Sequence, residues 1–476
     1  MAPSPPNARN DQKRRLRLVD RLKIGFFLFQ QSCLEFIKYD GRRWFLVPSV
    51  ILYTKSLWFK RKGAWIEYSS SMSSLFRSAW RGSYTLVKRE YCKIFSEERF
   101  TGVRDEIVKS AVENTLPLSN TEKFFINPTE LYEGVVIVLK SPGFNCKGVL
   151  IIKYSYYFTL MFRLFRMDRV AQYYHIVLEP SWAGYADVSI LAYTKLSHPV
   201  FVMTYESRDR QFLENLNSNL ISVDVGPSWW VDHNLFRPAS AENKNYDVVM
   251  VASWDTFKRH HKVFKALSKL RKEGHKLDVA LAGYSTLEAR QRIEKLAIYY
   301  NVVDQITFFE KIPPKEVSEL FGQSKLNILW SRFEGNNRSI VEGMFCNVPA
   351  IVRDGHNYGE RYFYINDQTG RFVAEKDLPT AILEMVGGDC DFSPREFVMS
   401  TMTYSHASKI LEQRIANAVG ESMEKTLALK VNELDGMRYV DPDQIREFSS
   451  DYEFLSEQLY ENTPRNHNTI QSVFIE

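Results

Sequence analysis

Two glutamates eight positions apart mark the stretch "SRFEGNNRSIVEGMFCNVPAIV", residues 331–352. Glu334 precedes a Gly-Asn-Asn loop, and Glu342 lies in a short apolar segment that runs into a strand with Pro349 near its start. If a strand delivers Glu334 to the rim of a sheet, the loop amides and the positive end of the next helix face the same place. Carboxylates, amides and a helix N-terminus together suit sugar hydroxyls and phosphate.

An ordinary structural explanation competes with this one. Ser339 and Glu342 match the spacing of a capping box, in which Glu342 would only satisfy amides of its own helix. Glu334 could equally be a surface loop residue. The pattern alone leaves a ligand clamp and a capped helix both open.

A cationic loop lies upstream, in "WDTFKRHHK", residues 254–262. Lys258 and Arg259 stand where a strand passes into a helix, so they could neutralise a diphosphate; they could also be two solvated residues that open a helix. Gly283 ends a strand in "LAGYS", where a missing Cβ lets a ligand or another backbone come close. Neither half of the chain carries GxGxxG, which weakens a dinucleotide interpretation.

These residues fall within a regular alternation of strands and helices between 246 and 353. Apolar runs such as "YDVVMVAS", "KLDVALAGY", "QITFFEKI" and "LNILWS" alternate with helical segments such as "HHKVFKALSKLRKEG". Repeated βα units predict a doubly wound α/β domain, in which ligands bind at the carboxyl ends of the strands.

A similar alternation precedes it from about residue 130. The runs "GVVIVLK", "GVLIIKY", "HIVLEP", "ILAYT", "PVFVMTY" and "LISVDVG" predict strands of a parallel sheet covered on both faces. The polar segment 238–245 is typical of a linker. The predicted fold is therefore α/β, with two Rossmann-like doubly wound domains facing a cleft. The predicted divisions are a disordered tail at 1–16, a helical, basic and aromatic extension at 17–125, domains at 126–238 and 246–415, and C-terminal helices and tail at 416–476.

The extension is the most basic part of a chain of 476 residues with a net charge of +5. Its segment 18–39 predicts a helix that either lies in a membrane interface or packs on its own domain. The basic residues suggest an anionic surface, either lipid or nucleic acid, or else a solvated helix face. The apolar segment 44–59 is too short to span a bilayer and is broken by Pro48 and Lys55.

Cysteine usage and the N-terminus bear on the compartment. Five dispersed cysteines without CxxC spacing argue against a disulfide framework and a zinc site, and they fit a reducing cytosol. The N-terminal residues lack the pattern of a signal peptide. We expect a cytoplasmic protein, either free or peripheral at the cytoplasmic face of the membrane.

The stretch 334–352 resembles the donor-site motif of retaining GT-B glycosyltransferases, particularly glycosyltransferase family four. That family carries "EGxGxxxxEAMxxGxPVI", and this chain has "EGNNRSIVEGMFCNVPAIV". Both glutamates, the first glycine, the methionine and the proline agree, whereas Asn337, Gly343 and Asn347 depart from the motif. "WVDHNLFRP" is similar to the family's connecting segment, and the resemblance covers about residues 225–390.

The resemblance implies roles for individual residues. Glu334 would contact the donor sugar near the anomeric centre, and Glu342 would hold the ribose hydroxyls. Lys258, helped by Arg259, would bind the diphosphate. The remaining implied donor contacts are Gly283, Gly335, the amides of Asn336, Asn337 and Arg338, and Lys311 and Ile312 beside the nucleobase. Many family members place an arginine shortly before the lysine, where this chain has Ala252-Ser253-Trp254, so phosphate binding would lean on Arg259 or Arg338.

The first domain is similar to the family in architecture only. Its loop "SPGFNCKG" would stand near the donor phosphate, which makes Gly143, Lys147 and Gly148 candidates. "HIVLEPSWAGYAD" adds Glu179 and Trp182 for acceptor recognition and His175 as a catalytic candidate, although His175 could also be a buried core histidine. Trp229 and Trp230 could stack on a sugar or pack at a hinge.

The implied activity is retaining transfer of a hexose from a nucleotide diphosphate sugar to a glycan, a lipid-linked or another acceptor. No metal and no cofactor beyond this co-substrate are expected. Three alternatives remain open: a nucleotide-sugar epimerase of the same fold, a non-catalytic carbohydrate- or nucleotide-binding protein, and a nucleic-acid binder acting through the basic N-terminus. Paired carboxylates in the donor pattern count against the last, because they repel phosphate backbones.

Overall fold

The computed structural model describes residues 16–37, 46–78, 80–114, 122–239, 244–355, 362–388, 391–420 and 426–460. The predicted disordered tail at 1–16 lies almost wholly outside these residues, as do part of the predicted linker and the last 16 residues. Two α/β domains with parallel sheets and an N-terminal helical segment are present, which confirms the predicted fold class.

The N-terminal segment is helical. Its helices are α1 (Leu18–Glu35), α2 (Leu46–Arg61), α3 (Trp65–Arg77), α4 (Ser83–Ser96), α5 (Thr101–Glu113) and α6 (Glu122–Ile126). On α3, Tyr68, Met72, Leu75 and Phe76 recur at helical spacing and are fully buried, so this face joins the core of the first sheet. Helix α1 differs, because its apolar side chains at 24, 27 and 28 pack against the core of the second sheet.

The first sheet has the strands β1 (Val136–Lys140), β2 (Gly148–Lys153), β3 (Tyr174–Glu179), β4 (Val200–Met203) and β5 (Leu220–Val223), side by side in chain order. Its helices are α7 (Ser155–Leu164), α8 (Met167–Tyr173), α9 (Val188–Leu191) and α10 (Ser207–Leu216). Strands β2 to β5 are parallel, but β1 is antiparallel to β2. Hence β1 and β2 form a hairpin.

The run "ILAYT" was expected to be a strand, and this prediction was wrong. Val188–Leu191 is helical and continues into a 3-10 helix at Ala192–Lys195. The Asp187 side chain accepts the amide of Ser189 at 3.0 Å and so caps the start of the helix. A short apolar run does not by itself distinguish a buried helix from a strand.

The second sheet contains β6 (Tyr246–Val251), β7 (Val279–Gly283), β8 (Ile306–Glu310), β9 (Ser324–Leu329), β10 (Ala350–Arg353) and β11 (Gly370–Val373). Its helices are α11 (His260–Lys272), α12 (Leu287–Tyr299), α13 (Pro314–Gly322), α14 (Arg338–Phe345), α15 (Leu378–Gly387) and α16 (Pro394–Thr401). The strands are parallel in the order β11-β10-β9-β6-β7-β8. Strands β7 and β8 are added on one side of β6, and β9, β10 and β11 are added on the other, so the order of strand addition reverses between β6 and β9. Such a switch point opens a crevice at the carboxyl ends of β6 and β9.

The chain then returns to the first domain through α17 (Tyr404–Val419), β12 (Lys430–Asn432), β13 (Met437–Tyr439), α18 (Gln444–Glu447) and α19 (Ser449–Glu457). Leu411 and Ile415 of α17 are buried in the core of the first sheet. The Tyr439 hydroxyl donates to the Val138 carbonyl at 2.7 Å, which attaches the β12–β13 hairpin to β1. The division of the chain at residue 415 stays a prediction.

Candidate functional site

A cavity of about 1140 Å³ lies where the carboxyl ends of both sheets meet. The strand ends of β2 and β3 supply Lys153 and Glu179 from one side, and those of β6 and β7 supply Val251 and Gly283 from the other. The sequence-predicted residues that line this cavity are Glu179, Trp182, Lys258, Gly283, Lys311, Ile312, Glu334, Gly335, Asn336, Asn337, Arg338 and Glu342. Two domains therefore share one site, as the strand-end rule requires.

Lys258 and Glu334 form an ion pair in the cavity wall. The Lys258 ammonium donates to the Glu334 carboxylate, which also accepts the Ser331 hydroxyl. Their loops are joined by the stacked rings of Phe257 and Phe333, 4.9 Å apart and 11° from parallel. The loop after β6 and the loop after β9 thus form one unit, with a cation and a carboxylate facing the cavity.

Asn337 caps helix α14, so the capping-box explanation is wrong. Its side chain accepts the Ile340 amide at 3.3 Å and the Ser339 hydroxyl at 2.7 Å. Glu342 instead accepts from Arg338 at 3.1 Å and lines the cavity. Burial raises the pKa of Glu342, an effect that Arg338 partly opposes. A carboxylate not needed as a cap is available to accept hydroxyl groups.

Two departures from the family motif have local structural reasons. A Cβ at Gly343 would come within 2.9 Å of the Asn327 side-chain nitrogen and 3.2 Å of the Phe321 ring, so alanine does not fit as in the motif. Asn347 replaces a glycine and has φ of +60°, a left-handed conformation that asparagine tolerates.

Gly283 and the 311–312 loop line the cavity on the side of the second domain. The close approach expected at Gly283 is made by the chain itself, because a Cβ there would meet the Ala252 carbonyl and the Trp254 ring. The Lys311 amide donates to the Gly283 carbonyl at 3.0 Å and fixes the loop after β8 beside the loop after β7. Ile312 follows at the cavity wall.

Glu179 is fixed by the C-terminal hairpin. Its carboxylate accepts from the Lys430 ammonium and, at 2.6 Å, from the Asn432 side chain. Burial opposes the ionisation of Glu179, but Lys430, Lys153 and Asn432 outweigh it, so that its pKa is lowered. Burial lowers the pKa of Lys430 to about 8. The cavity therefore has a held carboxylate on the first-domain side.

Five predicted residues do not reach the cavity. Because β1 and β2 form a hairpin, the loop with Gly143, Lys147 and Gly148 lies at the amino ends of the parallel strands, opposite the cleft. His175 is near the amino end of β3, is buried, and has its pKa lowered to about 4, mainly by burial. Their predicted placement beside the donor and acceptor is thereby corrected.

Arg259 is the fifth predicted residue that does not reach the cavity. It is buried behind Lys258, with its guanidinium bound to Glu35 of α1 and to Glu375. The prediction that Arg259 assists Lys258 in the cleft is corrected, because the Arg259 side chain points away from the cavity toward Glu35 and Glu375. Of the two arginines considered for phosphate, Arg338 lines the cavity.

The two hinge tryptophans differ. The Lys430 ammonium lies 4.4 Å from the centroid of the buried Trp230 ring, and the Trp229 ring is tilted against Phe363 at 6.1 Å. Neither lines the cavity: Trp230 packs in the core of the first domain, and Trp229 packs between the two domains.

Several cavity residues escaped the sequence analysis. Lys153 ends a buried strand in "GVLIIKY", and a charge at a strand's carboxyl end was a usable signal. Arg77 and Trp80 come from the N-terminal helical segment, and nothing in the sequence connects them to a site formed more than 70 residues later. Arg77 pairs with Asp187 at 2.8 Å, and its guanidinium lies 5.5 Å from the Trp182 ring.

The part of the chain that the structure describes lacks two further features. Within that part of the chain, no cluster of three or more histidine, cysteine, aspartate or glutamate side chains is placed to hold a metal ion. None of its helices combines the length and apolar character needed to cross a membrane.

Residues 232–386 match the family described as glycosyl transferases group 1, and this region coincides with the second sheet and its helices. The similarity to this family therefore covers the second α/β domain. Loops bearing Lys258, Glu334 and Glu342 all fall within the match.

Solved structures resemble the chain at low identity. Sucrose-phosphate synthase from Thermosynechococcus elongatus is 14% identical over 64% of this chain and 80% of its own, with a TM-score of 0.47. The C-terminal domain of a glycosyl transferase group 1 family protein from Francisella tularensis is 15% identical over 36% of this chain and 98% of its own, with a TM-score of 0.32. Anabaena HepE, solved with UDP, is 11% identical over 68% and 83%, with a TM-score of 0.44. No curated protein sequence matches the chain significantly.

Proposed function

We propose that this protein is a retaining glycosyltransferase that moves a hexose from a nucleotide diphosphate sugar to an acceptor hydroxyl. The observation that carries the proposal is the placement of Lys258, Glu334 and Glu342 around one cavity, all three within the region that matches glycosyl transferases group 1. The two glutamates have the spacing of the resembling motif, and the fold brings Lys258 to the same cavity.

The donor would lie along the carboxyl ends of the second sheet. Lys258 and Arg338 neutralise the diphosphate, and the N-terminal amides of α14 add donors. Glu342 accepts the ribose hydroxyls, and Glu334 stabilises positive charge near the anomeric carbon. The nucleobase lies against Lys311 and Ile312. Gly335, Asn336 and Asn337 border the sugar.

In the reaction, the bond between the anomeric carbon and the diphosphate oxygen breaks, and its electron pair leaves with the nucleoside diphosphate. The acceptor oxygen bonds to the anomeric carbon on the same face, which retains configuration, and its proton passes to the leaving diphosphate. Lys258 and Arg338 balance the charge of the leaving group, so transfer proceeds without a bound metal. The protein supplies position and fixed charge.

The acceptor would enter between Glu179 and Trp182 of the first domain and the wall formed by Arg77 and Trp80. An indole face and a guanidinium next to a held carboxylate suit a hydroxyl-rich acceptor such as a glycan. A lipid-linked glycan also fits, because α1 and α2 carry exposed apolar side chains.

We propose further that α1 and α2 bind peripherally to the cytoplasmic face of an anionic membrane. Leu18, Leu22, Phe26 and Phe29 form an exposed stripe on α1, and Val47, Ile51 and Trp58 form another on α2. Residues 13–62 contain 13 lysines and arginines against three acidic residues. Apolar stripes flanked by cations are typical of interfacial helices.

Calorimetric titration of the full chain with UDP, GDP and ADP, each with EDTA and with Mg²⁺, tests the donor site. We expect one nucleotide to bind equally in both conditions, and Glu342→Ala to weaken it roughly tenfold or more, because hydrogen bonds to a charged acceptor are lost. Glu319→Gln, an exposed change on α13, is the control. Absence of binding by all three nucleotides would overturn the proposal.

Turnover separates the alternatives. Incubation with the matching nucleotide sugar and a glycan acceptor should give a glycoside of retained configuration, read by NMR of the anomeric proton. An epimerase would instead convert the nucleotide sugar without an acceptor, and a non-catalytic binding protein would leave it intact.

A further inference from the structure

Helix α1 leaves the rest of the N-terminal segment and ends against the donor loops. Its last residue, Glu35, is only 5% exposed although it belongs to a helix on the molecular surface. Its carboxylate accepts from Arg259 at 3.0 and 2.9 Å and from Arg332 at 3.0 Å. Gln31, one turn earlier, accepts from Arg332 at 3.1 Å. One buried carboxylate therefore joins two arginines from separate loops.

Those loops are the ones that present the proposed donor residues. Arg259 directly follows Lys258, and Arg332 lies two residues before Glu334. The Arg332 amide donates to the Phe257 carbonyl at 2.7 Å, so the loops also touch through their backbones. Arg259 is one peptide unit from Lys258, and Arg332 is two from Glu334. A displacement of either arginine would therefore also displace the Lys258–Glu334 ion pair.

The geometry of Arg259 increases its dependence on these partners. It has φ of +57°, in the left-handed region, at the residue that opens α11. Its guanidinium also binds Glu375 at 2.9 Å, and Glu375 accepts from Lys262 at 2.7 Å. Strained backbone of this kind persists where surrounding contacts determine it.

The charges of this network are mutually dependent. Burial opposes ionisation of Glu35, yet Arg259 and Arg332 outweigh it and lower its pKa. Removal of one member of a buried, hydrogen-bonded charge group leaves its partners uncompensated. Loss of the Glu35 charge would remove the carboxylate that the two arginines share, although Gln31 still accepts from Arg332 and Glu375 from Arg259.

We infer that Glu35 is a positioning residue for the donor site: through Arg259 and Arg332 it holds the two loops that carry Lys258 and Glu334 in register. Helix α1, which lies outside both sheets, thereby sets how well the cavity recognises the diphosphate of the donor. The inference rests on the proposed function, because it concerns the same site.

The test compares Glu35→Gln, Glu35→Asp and the milder Gln31→Ala in the full chain. Each is titrated with whichever of UDP, GDP and ADP the wild-type protein binds, and with the corresponding nucleoside monophosphate. We expect Glu35→Gln to weaken the diphosphate roughly tenfold, within the usual range of coupling between sites, with the monophosphate changed less than about twofold. Glu35→Asp should restore most of the affinity, and Gln31→Ala should give a smaller loss.

Glu90→Gln is the matched control. Glu90 on α4 also forms a shielded ion pair within the N-terminal segment, with Lys60 at 2.7 Å, but it contacts neither donor loop. If the role of Glu35 were purely structural, Glu35→Gln would lower the melting temperature, as is expected for Glu90→Gln, and would weaken the diphosphate and the monophosphate alike. Equal binding by wild type and Glu35→Gln, or equal losses for both nucleotides, overturns the inference while the proposed function stands. If the Glu35 variants do not fold, unchanged diphosphate binding by Gln31→Ala overturns it. No nucleotide binding by the wild-type protein overturns both.

Discussion

Glu334 and Lys258 are each other's partners in the cavity, so a change at either alters the charge that meets a donor. We expect Glu334→Gln to lower kcat by about 10²–10³, because a fixed charge next to the developing positive centre is lost. Nucleoside diphosphate affinity should stay equal or rise, since Lys258 no longer has a competing carboxylate. Steady-state kinetics with the matching nucleotide sugar and calorimetry measure the two effects separately.

The control for this change is Glu319→Gln, on the exposed face of α13. Unchanged turnover in Glu334→Gln would contradict the role assigned to Glu334. A parallel loss of nucleotide affinity would show that Glu334 supports the loop rather than the reaction.

We expect His175 to make the stability of the protein, rather than its activity, depend on pH. Burial lowers its pKa to about 4 in the folded protein, below the ordinary histidine value of 6.5, so the unfolded chain binds the proton more tightly. Stability is therefore fully present above pH 6.5 and is lost as the pH falls toward 4, by roughly 2–3 kcal/mol for this group. Urea denaturation at pH 7 and pH 4.5 should give a smaller difference for His175→Gln than for wild type.

The same variant checks the corrected placement of His175. Since it lies at the amino end of β3, opposite the cavity, nucleotide affinity at pH 7 should equal that of wild type. A loss of nucleotide affinity without a loss of stability would indicate that His175 does contribute to the site.

At the scale of elements, the β12–β13 hairpin supplies the counter-charge for Glu179. Lys430→Met should destabilise the protein by about 3–5 kcal/mol, because the buried carboxylate loses its ion partner. Denaturant titration measures the change.

Arg438→Met in the same hairpin is the comparison. Arg438 pairs with Asp232 and Glu433, but its side chain is 41% exposed, so the expected cost is only about 0–1 kcal/mol. Equal costs for the two variants would contradict the structural role given to the buried pair.

At the scale of the whole molecule, the exposed faces of α1 and α2 predict membrane binding. Full-length protein should float with vesicles of phosphatidylserine and phosphatidylcholine, but less with phosphatidylcholine alone, and binding should weaken at high salt as charges are screened. Phe26→Glu and Ile51→Glu, each at a side chain 62% exposed, should reduce flotation.

Ile126→Glu, at a residue 69% exposed on α6, controls for the added charge. Equal flotation of all variants would mean that these helices do not form the contact. Strong binding to nucleic acid with the same salt dependence would favour the other anionic partner considered for the basic segment.

Much of the second domain, including the loops of the proposed donor site, could be predicted from the sequence. Alternating apolar runs and helices specified the βα units, because strand and helix periods depend on neighbouring residues only. Order along the chain also located Lys258 and Glu334 in loops that follow strands and Glu342 in the helix after the second loop, and parallel strands bring such loops to one edge. The first domain was predicted less well, since chain direction in the β1–β2 hairpin is not encoded in apolar runs.

What tertiary structure alone decided is which charges meet. Arg259 was predicted to face the donor, but it binds Glu35, 224 residues earlier, and Glu179 binds Lys430, 251 residues later. Capping by Asn337 rather than by Ser339 and Glu342 depended on where helix α14 begins. Local sequence determines the period and the ends of elements, whereas ion pairs form between side chains that packing brings together, and such separations leave no local signal.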